Sequence, residues 1–252
     1  MLRQFLRKRA RIAAGFFNTY VRKKGRTYDD SKWWDDSFYT EGVSDGNTIE
    51  QGKSAITAMY HYASVELQIL KHLRNNEVQV NRSGILDIGS GSGHWIDFYK
   101  ALGAGNVTAV DVSHSSFRHL VQKYSGDESV EIHRGKALEV IGKLQEDYDI
   151  VNAIGVMFHI VDDAEWQRTI LSISGRLKDG GLLIIGGHFG LLDGLNVQID
   201  RNGGINKRLR SKGRWVSALR SAGFSGIDLY RNNAYLWIRD SLPENNVLVA
   251  TK

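Results

Sequence analysis

Three glycines stand in the short stretch GILDIGSGSGHW, residues 84–95, directly behind an apolar run that carries one acid. The glycines are Gly89, Gly91 and Gly93, and the acid is Asp87. Because glycine adopts positive φ and lets the backbone approach a ligand closely, the spacing favours a binding turn. An ordinary tight turn between a strand and a helix is the alternative. A dinucleotide fingerprint would need its last glycine at position 94 or 96, where histidine and isoleucine stand, so hydride transfer is disfavoured.

From residue 84 onward, apolar runs alternate with segments that can form helices. The strand-like runs are GILDIG, NVTAVDVS, VEIHRG, YDIVNAIGV and GLLIIGGHF, and helices are expected near 94–103, 114–124 and 163–177. This alternation predicts a parallel sheet with crossover helices. After residue 190 we expect an irregular basic loop, a helix around GRWVSALRSAGF and an antiparallel finish formed by GIDLYRNN and NNVLVATK. The glycine turn then lies at the carboxyl edge, where doubly wound sheets bind ligands.

The glycine turn resembles the cofactor loop of class I S-adenosylmethionine-dependent methyltransferases, through Asp87, Gly89, Ser90, Gly91 and Gly93. The next strand ends on an acid, Asp111, which suits hydrogen bonds to both hydroxyls of a ribose. Residues 148–187 resemble the fourth strand, loop, helix and fifth strand of that family. The likeness covers roughly 80–190, with a fitting tail at 214–252. It implies an α/β, Rossmann-like doubly wound, mostly parallel seven-stranded sheet with an antiparallel last strand.

The resemblance also implies a cofactor, S-adenosyl-L-methionine, and a set of residues around it. The 89–93 backbone would face the methionine part, and the acid after the second strand the ribose. The adenine would be flanked by Val112, Ala137 and Leu138, and the methionine end would pass Ile154 and Gly155. One departure is Lys136, because many members carry an acid there that accepts the adenine amino group. Adenine recognition must therefore rest on backbone groups or on another side chain.

Methyl transfer requires alignment of a nucleophile with an already activated methyl group in a site that excludes water. If the acceptor is a hydroxyl, a general base helps, and His159 is the candidate because it follows the fourth strand and histidine titrates near neutral pH. A pocket-lining or hydrogen-bonded role is the alternative for this residue. His188, at the end of the fifth strand, is expected to contact the substrate. His94 opens a helix and is expected to pack or cap.

Two other segments are candidates for the substrate side. SKWWDDSFY, residues 31–39, is expected to close over the substrate with Trp34 and Tyr39, or else to bury its tryptophans in a cap helix. MYHYASVE, residues 59–66, either reaches the pocket or packs. In the basic loop NKRLRSKGRW, Arg208 and Arg210 are expected to hold an anionic acceptor through guanidinium forks, with solvated charge as the alternative. The acid pair at 162–163 is explained as helix N-terminal charge, and we expect no metal.

The first 26 residues carry nine Lys or Arg and no acid, whereas the remainder holds 24 basic and 28 acidic residues, although the net charge is +5. Their apolar residues recur at helical spacing, which predicts a basic amphipathic helix. It either packs on the domain or docks on an anionic membrane surface or a nucleic acid. We therefore expect an N-terminal helix and helical cap or lid over 1–80, and a methyltransferase domain over 81–252 with an insertion at about 190–213.

The leading interpretation is a methyltransferase that acts on O, N or S of a small or medium-sized, anionic acceptor. RNA or protein methylation through the basic arm and a non-catalytic cofactor-binding protein are the alternatives. Nucleic acid is disfavoured because no PPY-type motif of DNA amino-methyltransferases follows the fourth strand, where NAIGVMF stands. With 252 residues, no cysteine, no run of about 18 apolar residues and no secretory signal, we expect a cytoplasmic protein, peripheral at a membrane if the arm docks there. The sequence does not indicate an oligomeric state.

Overall fold

A seven-stranded mixed sheet organises the part of the chain that the structure, a computed structural model, describes. That part comprises residues 29–49, 54–187, 189–190, 195–197, 206–230 and 246–252. The predicted basic helix and His188 lie outside the described residues. Within the described residues, no helix has the length and apolar character needed to span a bilayer.

The strands follow the chain order that the alternation predicts. They are β1 (Gly84–Ile88), β2 (Asn106–Asp111), β3 (Val130–Arg134), β4 (Tyr148–Ile154), β5 (Leu177–Gly187), β8 (Gly226–Tyr230) and β9 (Asn246–Thr251). Their order across the sheet is β3-β2-β1-β4-β5-β9-β8. The first five strands are mutually parallel, and β9 runs antiparallel between β5 and β8. The predicted Rossmann-like sheet with an antiparallel last strand is confirmed.

Helices cover both faces of the sheet. They are α1 (Asp30–Trp33), α2 (Asp45–Ile49), α3 (Ala55–Asn75), α4 (His94–Ala101), α5 (His114–Lys123), α6 (Ala137–Ile141), α7 (Asp163–Arg176) and α8 (Lys212–Ser221). A π-helical turn, Trp34–Phe38, continues α1, and a short 3-10 turn, Met157–His159, follows β4. The three helices expected between the central strands are thus present as α4, α5 and α7.

All five residues of β1 are buried, because a central parallel strand is covered on both faces. Ile85 packs with Val65 and Ile69 of α3, whereas Leu86 belongs to a second cluster with Trp166 of α7. Alternate side chains of one strand thus contribute to two separate cores. Because β1 is packed against both cores, the glycine turn that follows it is held in a fixed position.

The segment after β5 differs from the expected irregular loop. Two short strands, β6 (Leu195–Val197) and β7 (Lys207–Leu209), pair as an antiparallel ribbon. Two arginines of the predicted basic loop lie here: Arg208 is part of β7, and Arg210 directly follows it.

The guanidinium groups of Arg208 and Arg210 bind a carboxylate of the chain itself. The Arg208 Nη2 lies 2.6 Å from Asp163 Oδ2, and the Arg210 Nε lies 3.0 Å from Asp163 Oδ1. Arg210 is buried, donates to the carbonyl of Ile160 at 2.9 Å and stacks 4.3 Å from the ring of Trp166. Asp163 thus fastens the ribbon to α7, and the contact of these two arginines with a substrate stays a prediction.

We predict that Asp163→Ala lowers the free energy of unfolding by about 2–4 kcal/mol, because it leaves the buried Arg210 guanidinium without its counter-ion. Urea unfolding followed by circular dichroism measures this loss. Asp179→Ala is the matched control, since Asp179 is fully exposed and pairs with Lys252 at 3.9 Å, and such a pair contributes less than about 1 kcal/mol. Equal losses in the two variants would contradict the structural role given to Asp163.

Candidate functional site

The glycine turn presents bare backbone to a cavity at the carboxyl edge of the sheet. Gly89 has φ +76°, and a Cβ there would lie 2.8 Å from Val156 Cβ. Gly91 has φ +55°, and a Cβ there would lie 2.5 Å from Thr48 Cγ2. Both positions therefore require glycine on two counts, backbone conformation and space. Gly93 has φ +83° and forms the N-cap of α4, which begins directly behind the turn.

Asp111, the last residue of β2, holds the glycine turn. Its Oδ2 accepts from the Gly91 backbone N–H at 2.8 Å, and its Oδ1 accepts from the Ser113 N–H at 2.9 Å. Burial raises the pKa of Asp111, and these hydrogen bonds oppose the increase. Carboxylate oxygens accept more than one hydrogen bond each, so Asp111 keeps acceptor capacity toward the cavity that it lines.

Asp87 lies beneath the turn and is completely buried. Its Oδ1 accepts from Asn152 Nδ2 at 2.7 Å, whereas its Oδ2 has no hydrogen-bond partner among the described residues. Burial raises the pKa of Asp87 to about 6, although the hydrogen bond from Asn152 opposes the increase. A buried acceptor without a partner costs free energy, so this carboxylate is a source of instability in the ligand-free protein.

The segment 29–39, called the lid below, contributes Asp30, Trp33, Trp34 and Tyr39 to the lining of the cavity. Its Asp35 accepts hydrogen bonds from Ser113 Oγ at 2.7 Å, from the Ser115 N–H at 2.9 Å and from the His114 N–H at 3.0 Å. Burial works to raise the pKa of Asp35, but these hydrogen bonds bring it below its usual value. The lid thus caps the N-terminus of α5, at the loop that follows Asp111.

Trp34 and Tyr39 of the lid form an aromatic wall of the cavity. The Trp34 ring lies 5.8 Å from the Tyr39 ring and 5.0 Å from the ring of His159, edge to face in the latter case. Trp33 adds a second indole, 6.1 Å from His159. Both sequence-predicted lid residues therefore line the cavity.

His159 ends the 3-10 turn after β4 and stands among these rings. Its Nδ1 lies 2.7 Å from the backbone oxygen of Asn206. Because a carbonyl only accepts, Nδ1 carries the proton and Nε2 keeps its lone pair in the neutral ring. Burial and, second, the charge of Lys207 lower the pKa of His159 to about 3. The lowered pKa favours the neutral imidazole at physiological pH.

Helices α3 and α4 contribute a further part of the cavity wall. Tyr62 stacks on His94 with ring centroids 3.5 Å apart, and His94 Nε2 lies 2.7 Å from a carboxylate oxygen of Glu66. Ser92, inside the glycine turn, donates to Asp45 of α2 at 2.6 Å. His94 therefore packs, as expected, and it ties the cap helices to the turn. Of the stretch 59–66, His61, Tyr62 and Val65 reach the cavity.

The cavity has a volume of about 380 Å³ and gathers most of the predicted site. The predicted residues that line it are Gly89, Ser90, Gly91, Asp111, Val112, Ala137, Leu138, Ile154, Gly155, Trp34, Tyr39 and His159. Asp87 and Gly93 support the turn from behind. Lys207 of the predicted basic loop also lines the cavity, and lining residues that the sequence did not single out for the site include Asp30, Thr48, Trp95 and Glu165. They come from distant parts of the chain, and no local motif marks them.

Comparisons with known proteins agree with this geometry. Residues 85–181 match the family model described as a methyltransferase domain. No curated protein matches the sequence of the chain. Magnesium protoporphyrin IX methyltransferase from Synechocystis PCC 6803, solved with S-adenosylmethionine, superimposes with a TM-score of 0.62 at 15% identity, over 91% of this chain and all of that one.

Two further solved structures share the fold. An S-adenosylmethionine-dependent methyltransferase from Clostridium acetobutylicum gives a TM-score of 0.58 at 13% identity, over 75% of this chain and 91% of that one. The N-methyltransferase NodS from Bradyrhizobium japonicum, with S-adenosylhomocysteine, gives 0.51 at 15% identity, over 71% and 85%. At such identities the likeness is one of fold, whereas the family match applies to the segment that carries the glycine turn, Asp111 and His159.

We predict that Asp87→Asn makes the ligand-free protein less sensitive to pH. The folded pKa of Asp87, about 6, exceeds its unfolded value, so the wild type gains stability as pH falls through 6 toward 4. The variant lacks this gain. Its unfolding free energy relative to wild type should therefore be higher at pH 7.5 than at pH 4.5, by about 2 kcal/mol. Urea titrations of both proteins at both pH values test this. The same change in unfolding free energy with pH in the variant and in the wild type would contradict it.

Proposed function

We propose that this protein, which carries a methyltransferase domain of the class I S-adenosylmethionine-dependent superfamily, methylates an O, N or S atom of a small or medium-sized acceptor that bears an anionic group. The observation that carries the proposal is the cavity that joins the glycine turn and Asp111 to an aromatic chamber around His159. One end of the cavity suits a nucleoside, and the other suits a reacting group.

The residues at the first end fit S-adenosylmethionine. A side chain at Gly89 or Gly91 would collide with Val156 or Thr48, so the turn keeps its backbone open toward the cavity. Asp111 would accept from the ribose hydroxyls, and the unpartnered Oδ2 of Asp87 offers a negative charge below the turn. The base would lie among Val112, Ala137 and Leu138, and the methionine end would pass Ile154 and Gly155.

The bound cofactor supplies a sulfonium whose methyl group is already activated for transfer. The chain contributes alignment and the exclusion of water. Trp33, Trp34 and Phe158 surround His159 with apolar rings, so a nucleophile held there is stripped of its hydration shell.

His159 is suited to orient the acceptor as a hydrogen-bond acceptor. Its Nδ1–H donates to the Asn206 carbonyl, so Nε2 offers a fixed lone pair. With the pKa of His159 lowered to about 3, the ring is neutral and ready to accept at physiological pH. A low pKa also makes His159 a weak base. Its main contribution is therefore to position the nucleophile rather than to remove its proton.

Lys207 supports an anionic acceptor. Its ammonium lies 5.3 Å from the centre of the Phe158 ring, and its charge is one of the causes that lower the pKa of His159. A positive charge therefore faces the same chamber as the neutral imidazole. A carboxylate or phosphate on the acceptor would pair with it.

The volume of the cavity, about 380 Å³, lies in the range of small-ligand sites, which supports a small-molecule acceptor. The basic residues 1–26 belong to a separate proposal, docking of the protein on an anionic membrane surface. That segment lies outside the described residues. A macromolecular acceptor would require it, whereas the small-molecule reaction would not.

We predict that the wild type binds S-adenosylhomocysteine saturably and that Asp111→Ala weakens this binding at least about tenfold, because ribose contacts and the Gly91 anchor are lost together. Isothermal titration calorimetry measures both proteins. Glu131→Gln, an exposed change on β3, is the control and should bind like wild type. Absence of saturable binding to the wild type would refute the proposed function.

We also predict that His159→Gln lowers kcat by about 100-fold or more while the affinity for S-adenosylhomocysteine changes little. Transfer of radiolabelled methyl groups to a screened panel of small carboxylates and phosphates provides the assay. Because the pKa of His159 is about 3, its protonation should not shape the wild-type rate between pH 5 and 8. His119→Gln on α5 is the control. An unchanged kcat in His159→Gln would assign the residue to packing alone.

A further inference from the structure

Lys136 occupies a place in the cavity where it cannot recognise an adenine amino group. It directly precedes Ala137, and both residues line the cavity beside Leu138. An ammonium group has three donors and no acceptor, and the exocyclic amino group of adenine is itself a donor in planar base recognition. Two donors do not pair, so an acceptor must come from elsewhere.

Asp30 of the lid supplies a carboxylate at the same place. Its Oδ2 lies 3.5 Å from the Nζ of Lys136, and its Oδ1 accepts from the Ser31 N–H at 2.9 Å. Asp30 lines the cavity and is only about one-quarter exposed. Both carboxylate oxygens retain lone pairs for a further donor.

The position of Asp30 is fixed by its neighbour. The Ser31 Oγ donates to the carbonyl of Val112 at 3.2 Å, directly after Asp111. In the sheet, β2 lies between β3 and β1, and β1 leads into the glycine turn. A nucleoside whose ribose lies on Asp111, at the end of β2, would therefore extend its base toward Val112 and Ala137. The Asp30 carboxylate is held at that end of the cavity.

A second acid, Glu165, also lines the cavity near Lys136. Burial works to lower the pKa of Lys136, and the charge of Asp30 followed by that of Glu165 raises it. Asp30 is thus the stronger partner of Lys136, and its ion pair with Lys136 gives it a defined orientation. Glu165 is the competing candidate that an experiment must separate.

We infer, on the basis of the proposed function, that Asp30 accepts a hydrogen bond from the exocyclic amino group of the cofactor's adenine and that Lys136 is a positioning residue that orients the Asp30 carboxylate. The specificity-determining acid is therefore carried by the lid rather than by the loop after β3. Selection against a 6-oxo purine follows, because its carbonyl oxygen would face the carboxylate and repel it.

The test compares S-adenosylhomocysteine with S-inosylhomocysteine, which has a carbonyl in place of the amino group, by calorimetry on the full chain. Wild type should prefer S-adenosylhomocysteine at least about tenfold. Asp30→Ala should weaken S-adenosylhomocysteine binding and abolish the preference. Lys136→Met should weaken binding less and retain the preference. Thermal melting of each variant verifies that it is folded.

An exchange variant, Asp30→Lys with Lys136→Asp, separates recognition from lid attachment. It preserves the ion pair and leaves a carboxylate beside the base, so the preference should return relative to Asp30→Ala. Equal weakening of both ligands by Asp30→Ala, or loss of the preference in Glu165→Gln instead, would overturn the inference while the proposed function stands. Failure of the wild type to bind S-adenosylhomocysteine would remove both.

Discussion

The hydrogen bond from the Gly91 N–H to the Asp111 carboxylate is the contact on which the site depends. It joins the ends of two neighbouring parallel strands, and the Ser116 Oγ reinforces it by donating to the Gly91 carbonyl at 2.6 Å. A turn whose three glycines carry no side chains is held in shape from the adjacent strand. The same loop after Asp111 then receives the lid, through Ser113 and Asp35. Loss of this bond would therefore disturb both the turn and its cover.

The parts of the site that the sequence predicted are those encoded by local spacing. The glycine turn and the acid that ends β2 each follow directly from a strand, and their juxtaposition follows from the parallel sheet. Arg208 and Arg210 illustrate the opposite case. Their partner, Asp163, lies 45 or more residues away in the sequence. The number and spacing of charged residues do not show whether an arginine forms an ion pair within the chain. The observed contacts of these two arginines depend on pairing with a residue distant in sequence and, for Arg210, on burial.

His159 shows a second kind of limit. Its place after β4 could be predicted from the order of elements, but its pKa depends on rings contributed by the lid and on Lys207 from the ribbon. Histidine type alone implies titration near pH 6.5, whereas an apolar enclosure disfavours the charged form. The chemistry available to this residue is thus a property of the assembled chamber, and the chamber is formed by segments distant in sequence.

The buried acids give the site a further property. Burial raises the pKa of both Asp87 and Asp111, so the ligand-free protein holds carboxylates in surroundings that disfavour their charge. A ligand with donors or positive charge relieves this cost, and binding then stabilises the fold by mass action. Hydrogen bonds from the Gly91 and Ser113 N–H groups offset part of this cost at Asp111, whereas Asp87 Oδ2 has no partner among the described residues.

The lid links the two ends of the cavity within a few residues. Asp30 contacts Lys136 and Ser31 contacts Val112, at the end of the cavity that we propose for the base. Trp34, three residues further on, contacts His159 at the other end. Between them the helix widens to a π-helical turn, and Asp35 is directed onto α5 while Trp34 stays over the chamber. The same short segment therefore helps to form both the end of the cavity that we propose for the base and the chamber that we propose for the acceptor.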